Sequence, residues 1–371
     1  MIYLDYNAGA PAKPAIQAAM VEAMERQGNP SSVHRYGRVA RRHMEEARAA
    51  VAAFVGVRPA QVVFTSGGTE ANNIVLRGFK ASQIITSNIE HDSVLANAPD
   101  ADRLPVTRDG VVDLDAAENI LQAAPAGSLV SVMLVNNETG VIQPVEEIAR
   151  LAKKYGHRVH TDAVQAAGRL PINFAVLGVD FLSLSAHKLG GPQGIGALIV
   201  AEKIAFAPLM QGGGQELNRR AGTENAPGIA GFGTAVRLAA DDLRDMPRLA
   251  GLRDGLQNRL QKIGGDNVAV IGADAPRVGN TLCIAMRGIK SETQVIGMDL
   301  AGVAVSAGSA CSSGKVKVSH VLKAMGCTND VAGSGLRISM GWATTNNDID
   351  RCARAWQTLY ERTRENEKKA A

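Results

Sequence analysis

The sequence is poor in aromatic residues, which make up 4% of its 371 residues. Proteins that bind single-stranded nucleic acids stack bases on such side chains, so this function is not expected. The formal net charge is only +4, and the basic residues are spread along the chain instead of forming one block. No apolar run approaches the length that spans a bilayer, and the first residues do not resemble a signal peptide. We therefore expect neither a nucleic-acid nor a membrane partner.

Cysteine is also scarce. The four cysteines are Cys283, Cys311, Cys327 and Cys352. None of them form a C-x-x-C pair, so neither a zinc site nor a redox dithiol is indicated, and free thiols in a reducing cytoplasm are expected. Around Cys311, residues 306–314 contain nothing apolar larger than alanine. This composition is typical of a solvated loop, and we interpret Cys311 as a nucleophile, in contrast to the apolar surroundings of Cys283.

Strand and helix patterns alternate through the first two thirds of the chain. Between residues 61 and 200, short apolar runs typical of buried strands are separated by segments with helical periodicity. This alternation predicts an α/β fold with a mainly parallel sheet, which binds ligands at the carboxyl ends of its strands. Two helices are expected at 228–243 and 246–263, followed by a smaller α+β unit. We assign residues 15–260 to a large domain, and residues 1–14 with 261–371 to a small domain.

Lys188 follows the apolar run 179–184, which predicts a core strand. The residues after it include Gly190, Gly191 and Pro192, which prevent the chain from continuing as a helix. A lysine is a nucleophile only when its amine is neutral, and burial near another cation lowers the pKa towards that state. One reaction of such a lysine is the formation of a Schiff base with an aldehyde cofactor.

Four other polar segments follow predicted strands. They are Thr-Ser-Gly-Gly-Thr-Glu at 65–70, His91, Asn137 within 135–140, and Asp162 with Gln165. Taken singly, each also fits an ordinary turn, helix cap or core histidine. Together they would place a phosphate site, a ring-stacking imidazole and a carboxylate for a ring nitrogen beside Lys188. Pyridoxal phosphate requires these groups, and it is therefore the predicted cofactor.

The motifs around these residues resemble those of the cysteine desulfurases, a group within the class V pyridoxal-phosphate aminotransferase family. The matching segments are residues 3–8, 28–34, 65–73, 90–91, 136–140, 162–165, 185–194, 220–225 and 306–311. Gly9-Ala10 departs from the pattern, because relatives commonly carry threonines there. The resemblance implies a fold-type I transferase, with a seven-stranded-type sheet in the large domain and the cysteine loop on the smaller α+β domain.

The resemblance also implies roles for individual residues. Lys188 would carry the internal aldimine, with His91 stacked on the ring, Asp162 at the pyridine nitrogen and Gln165 at the phenolic oxygen. The phosphate would be held by Gly68, Thr69, Ser185 and His187, and by Thr223 of a neighbouring subunit. Arg337 has the planar guanidinium that suits a substrate α-carboxylate, with Asn137 as a second contact.

The implied reaction removes sulfur from L-cysteine, which gives L-alanine and a persulfide on Cys311. Lys188, Cys311 and His91 are the expected catalytic residues. The implied partners are a second copy of the chain and an iron–sulfur scaffold protein or another sulfur acceptor, and Cys311 is a candidate iron–sulfur ligand shared with that scaffold. A selenocysteine lyase or another class V aminotransferase is the alternative, and it predicts that Cys311 is dispensable.

Overall fold

The computed structural model describes residues 1–308 and 318–370. Its strands are β1 Ile2–Tyr3, β2 Val62–Thr65, β3 Ile84–Ser87, β4 Asp102–Leu104, β5 Leu129–Ser131, β6 Arg158–Asp162, β7 Phe181–Ser185, β8 Gly196–Val200, β9 Val268–Val270, β10 Thr281–Met286, β11 Val303–Ala304 and β12 Gly335–Ser339. Its helices are α1 Pro14–Glu25, α2 Arg35–Val55, α3 Gly68–Gly78, α4 Asp92–Leu95, α5 Leu114–Ala123, α6 Val145–Lys154, α7 Phe174–Leu177, α8 Gln215–Asn218, α9 Ala226–Gly264, α10 Ser291–Leu300, α11 His320–Ala324, α12 Asn329–Ala332 and α13 Asn346–Ala370.

The large sheet has seven strands in the order β2-β8-β7-β6-β5-β3-β4. The neighbours from β7 to β4 pair in parallel, whereas β8 pairs antiparallel to both β2 and β7. Every residue of β7 and β8 is buried, which explains why these strands appear in the sequence as continuous apolar runs. The predicted α/β fold with a mainly parallel sheet is confirmed.

The carboxyl ends of the parallel strands meet at one edge of this sheet. His91 follows β3, Asp162 is the last residue of β6, and Lys188 comes three residues after the end of β7. The edge strand β2 leads directly into α3 through the glycines at 67 and 68. This arrangement brings together segments that are far apart in the sequence, because parallel strands place their carboxyl ends at the same edge.

A second core is built on the antiparallel sheet β12-β10-β9. The amino-terminal strand β1 pairs with β11, and the carbonyl of Leu4 accepts a hydrogen bond from the Ser339 amide at the end of β12. The start of the chain is therefore attached to its last strand. This attachment brings residues 5–8 to the large sheet's carboxyl edge.

Helix α9 joins the two cores as one 39-residue helix, where we expected two separate helices. Its first half buries Ile229 and Phe232 in the large core, and its second half buries Leu256 and Leu260 in the second core. Pro247 lies inside the helix and removes one backbone hydrogen bond. Burial of apolar side chains on both sides of the proline offsets this cost. Local helix propensity did not predict this continuous helix. The assignment of residues to two domains remains a prediction.

In the part of the chain that the structure describes, no helix is both long and apolar enough to cross a membrane.

Candidate active site

A cavity at the carboxyl edge of the large sheet receives side chains from both cores. Its lining residues are Asn7, Ala8, Gly68, Thr69, Asn72, His91, Ser93, Met133, Val135, Asn137, Asp162, Val164, Gln165, Ser185, His187, Lys188 and Arg337. This set includes every predicted cofactor and substrate residue except Thr223 and Cys311. The predicted residues are thus neighbours around one cavity, although the sequence separates them by up to 269 positions, from Gly68 to Arg337.

Lys188 enters the cavity from a single 3-10 turn, Ala186–Lys188, that follows β7. Its Nζ donates to the backbone carbonyls of Asn7 at 2.5 Å and of Ala8 at 2.9 Å. A side chain at Gly191 would place its Cβ only 2.8 Å from the Ala186 carbonyl oxygen, so the tight turn requires glycine there. The amine is held by backbone carbonyls of the amino-terminal arm, which orients it at the centre of the cavity.

A candidate anion site lies where β2 turns into α3. The 11-residue helix starts at Gly68, so the amides of its first turn face away from the helix and are available to an anion. A Cβ at Gly68 would lie 2.7 Å from Cγ2 of Val164, so only glycine lets the helix start approach the turn after β6 this closely. Ser185 and His187 line the same cavity. Burial, with Lys188 and Arg169 nearby, lowers the pKa of His187 to about 4, so its imidazole is neutral.

Asp162 and His91 are connected by a hydrogen-bond network. Asp162 Oδ2 accepts from Asn72 Nδ2 at 2.8 Å, and the same amide donates to Ser93 Oγ at 2.9 Å. Ser93 Oγ lies 2.8 Å from His91 Nδ1, and the Ser93 amide donates to that nitrogen at 3.0 Å. Because an N–H donates to Nδ1, the proton of a neutral His91 ring belongs on Nε2. The network fixes both the tautomer of His91 and the orientation of the Asp162 carboxylate.

Arg337 lies in the same cavity on β12 and is almost fully buried. Its Nη2 donates to Asp5 Oδ1 at 2.7 Å, and its Nη1 donates to the carbonyl of Asn137 at 3.1 Å. Asp5 Oδ2 in turn accepts from Ser306 Oγ at 2.7 Å. Within the described residues, Arg337 Nε is buried and has no hydrogen-bond partner. The guanidinium is therefore oriented by a carboxylate, while one of its donors is not used by the residues that the structure describes.

Comparison with known proteins agrees with this arrangement. The family model "Aminotransferase class-V" matches residues 2–352. The chain belongs to this family. It is 39% identical over 378 residues to "Cysteine desulfurase IscS" of Dictyoglomus turgidum, a match that covers 98% of this chain and 95% of that protein.

Solved structures show the same similarity. A NifS-like protein from Rickettsia africae has a TM-score of 0.91 and 36% identity, with 97% of this chain and 99% of that chain covered. A structure described as SspA in complex with cysteine has a TM-score of 0.79 and 29% identity, with 92% and 99% covered. These comparisons confirm the family resemblance and the fold that we predicted from the sequence.

As a class-V aminotransferase, the protein uses pyridoxal phosphate, and the cavity has the groups that this cofactor needs. A primary amine, a carboxylate, an imidazole and a helix start face one space. The close approach at Gly68 and the neutral His187 fit a phosphate, since the anion meets helix amides and an uncharged donor instead of a carboxylate. The donor set of this class-V aminotransferase therefore fits its cofactor.

Two predicted residues are not brought to this cavity within the described chain. Thr223 is exposed, on the segment that follows Arg220. Arg220 pairs with both oxygens of Glu70, at 2.9 and 3.3 Å, so the segment is attached to the first turn of α3. Cys311 lies outside the described residues, and so does its predicted role as a metal ligand. Among the described residues, no group of three or more His, Cys, Asp or Glu side chains could hold a metal ion.

Sequence reasoning missed four residues that orient the site. They are Asp5, Asn7, Asn72 and Ser93. The Asn7 carbonyl accepts from both Lys188 and Gln165, and the Asn72 amide joins Asp162 to Ser93. A signal was present, because Asp5, Asn7 and Asn72 fall within motifs 3–8 and 65–73, but nothing in the sequence said which partners they contact.

Proposed function

We propose that this class-V aminotransferase is a cysteine desulfurase, which takes sulfur from free L-cysteine and releases L-alanine. The observation that carries the proposal is that Lys188 and Arg337 line one cavity. An amine that binds the cofactor and a guanidinium that binds a carboxylate together select an α-amino acid. The curated relative from Dictyoglomus turgidum is named a cysteine desulfurase, and the SspA structure was obtained in complex with cysteine.

On the cofactor side, we assign Lys188 to the covalent link and Asp162 to the pyridine nitrogen. His91 stacks on the ring and Gln165 donates to the ring oxygen, while Gly68, Thr69, Ser185 and His187 hold the phosphate. When bound, pyridoxal phosphate withdraws electrons from the substrate α-carbon. The Asn72 and Ser93 hydrogen bonds support these assignments, because they fix the acceptor atoms of Asp162 and the tautomer of His91.

On the substrate side, Arg337 binds the α-carboxylate and Asn137 provides a second contact. The Lys188 amine would move the proton on the substrate α-carbon, and His91 Nε2 would exchange a proton with the substrate thiol. The Cys311 thiolate then attacks the substrate sulfur. A sulfur–sulfur bond forms as the carbon–sulfur bond breaks, and the electron pair goes to the carbon fragment, which is protonated to alanine.

The other cysteines are poor candidates for this nucleophile. Burial raises the pKa of Cys283, Cys327 and Cys352, and it raises that of Cys352 to about 12. The thiolate is the reactive form, so all three thiols are protonated near neutral pH. This supports Cys311 as the residue that receives the sulfur.

We further propose that the active protein is a cytoplasmic homodimer. Thr223 is exposed and does not line the cavity of its own chain, which fits a role at the phosphate of the partner subunit. Exposed apolar side chains, among them Val33, Tyr36 and Leu217, offer surface for such a contact. The persulfide sulfur then passes to an iron–sulfur scaffold protein or another acceptor, and Cys311 could ligate a cluster shared with that scaffold.

The test is incubation of the purified protein with L-cysteine, followed by assays for alanine and sulfide and mass spectrometry of the Cys311 peptide. We expect alanine release and a mass increase of one sulfur atom on that peptide. Cys311→Ala should abolish sulfide release, whereas Cys327→Ala, the matched control, should retain it. Sulfide release at the wild-type rate from Cys311→Ala would refute the assignment and favour a selenocysteine lyase or another class-V enzyme.

A further inference from the structure

Arg169 is a buried cation next to the cavity that the described reaction does not use. It is the last residue of the turn 164–169 and is 6% exposed. Its Nη1 donates to the backbone carbonyl of Gln165 at 2.7 Å and also to Gln165 Oε1. Within the part of the chain that the structure describes, its guanidinium hydrogen-bonds an amide group and forms no ion pair with a carboxylate.

A buried cation without a directly bound carboxylate destabilises the fold, so Arg169 is poorly explained as a structural residue. Burial lowers its pKa to about 9, which still leaves the guanidinium charged near neutral pH. The other charged or titratable groups around it are Asp242 and Asp245 on α9, Arg337 on β12, Tyr6, and His187 and Lys188 after β7. Asp242 and Asp245 are the acids among them, and they pair with Lys13 at 2.5 Å and with Arg248 at 2.7 Å. Within the described residues, the charge of Arg169 is therefore not balanced by an ion pair with either acid.

The contact between Arg169 and Gln165 decides which way the Gln165 amide points. Because Oε1 accepts from a guanidinium, Nε2 must occupy the other position, where it donates to the Asn7 carbonyl at 3.0 Å. An amide nitrogen has two hydrogens, so the second remains for an acceptor in the cavity that Gln165 lines. A hydrogen bond from that nitrogen is strengthened by the cation bound to the other end of the amide.

We propose that Arg169 is a positioning residue, which fixes the Gln165 amide as a donor to the ring oxygen of the cofactor and adds a positive charge behind that hydrogen bond. The proposal rests on the assignment of Gln165 to that oxygen. A donor and a cation at the ring oxygen favour its anionic form and oppose a second positive charge on the neighbouring nitrogen. That nitrogen is the one that joins Lys188 to the cofactor, and Arg169 thus keeps its proton affinity low.

The test uses the holoenzyme and follows its visible absorbance from about pH 6 to about pH 10. The midpoint of the absorbance change reports the protonation of the linking nitrogen. We expect Arg169→Gln, which removes the charge but keeps a donor, to raise this midpoint by about one pH unit, a tenfold change in proton affinity. The midpoint of Arg169→Lys should lie closer to that of the wild type. The midpoint of the surface variant Arg259→Gln should equal that of the wild type.

A purely structural role for Arg169 would change stability or cofactor content but leave the midpoint where it is. An unchanged midpoint in a coloured, active Arg169→Gln enzyme overturns the proposal while the proposed function stands. If that variant does not fold, Arg169→Met decides, because it removes the charge, keeps a similar length and leaves Gln165 in place. A raised midpoint in Arg169→Met supports the proposal, and an unchanged one refutes it. A wild-type protein that shows no visible absorbance and releases no alanine from L-cysteine would instead refute the proposed function.

Discussion

The cavity has two sides that are built differently. The cofactor side consists of residues 62–200, where each functional group follows a strand of the large sheet. The substrate side consists of Arg337, the amino-terminal arm and Asn137, the one residue that 62–200 contributes to it in our proposal. Its central ion pair joins Asp5 and Arg337, which are 332 positions apart. Contiguous strand–helix units position the first side, whereas the second exists only when the two ends of the chain meet. Mutations on the cofactor side and on the substrate side should therefore impair cofactor binding and substrate binding separately.

Removal of Lys188 is expected to have the largest effect and to act on the cofactor side. Lys188→Ala should lose the visible absorbance of the linked cofactor and at least about 10³-fold in turnover, since both the covalent link and the amine that moves the proton are removed. The measurements are the absorbance spectrum and the rate of alanine release. The exposed Lys203→Ala is the control and should behave as the wild type. Retention of the visible band in Lys188→Ala would show that another amine holds the cofactor.

Arg337→Gln should damage the substrate side and leave the cofactor side intact. We expect KM for L-cysteine to rise about 100-fold, because a charged hydrogen bond to the carboxylate is worth about 1.5–3 kcal/mol. The cofactor content, measured by absorbance, should stay at the wild-type level. Arg259→Gln breaks an exposed pair with Asp350 and should not change KM. If Arg337→Gln lost the cofactor as well, the two sides would have to be treated as one unit.

Glu90 immediately precedes the cavity residue His91 and should give the smallest effect, on stability. It is fully buried, its Oε1 accepts from Ser87 Oγ and from the Met133 amide, and its backbone carbonyl accepts from His320 Nε2. Burial raises the pKa of its carboxyl to about 8, although the two hydrogen bonds that Oε1 accepts lower this pKa. The native state thus keeps a proton that the unfolded chain loses near pH ~4.3.

The sign of the pH effect follows from that difference in bound protons. The contribution of Glu90 to stability is complete below about pH 4.3 and is lost as the pH rises towards about 8. Glu90→Gln cannot ionise, so its free energy of unfolding should improve relative to the wild type by about 1–3 kcal/mol between about pH 5 and about pH 8.5. Urea unfolding at both values, with saturating cofactor, measures this change. An equal difference at both pH values would mean that Glu90 does not titrate in this range.

Much of the cofactor side could be predicted from the sequence, and much less of the substrate side. The alternating strand and helix pattern predicted β6 and β7 closely. The polar residues at their ends lie in one cavity, because parallel strands end at the same edge. The sequence also pointed to Arg337 as a residue type suited to a carboxylate. It did not predict Asp5 as its partner, since that contact depends on how β1, β11 and β12 assemble.

The sequence by itself determined the α/β fold, the cofactor and the residue types that we propose bind it, because strand periodicity and turn chemistry are local properties of the chain. Only the tertiary structure decided that α9 runs through Pro247 as one helix, and that Asn72 and Ser93 connect Asp162 to His91. It also decided that Arg169 lies behind Gln165 without a bound carboxylate in the described chain. These features depend on the burial of groups brought together by packing, and the free energy of burial depends on all the neighbours that a side chain acquires on folding.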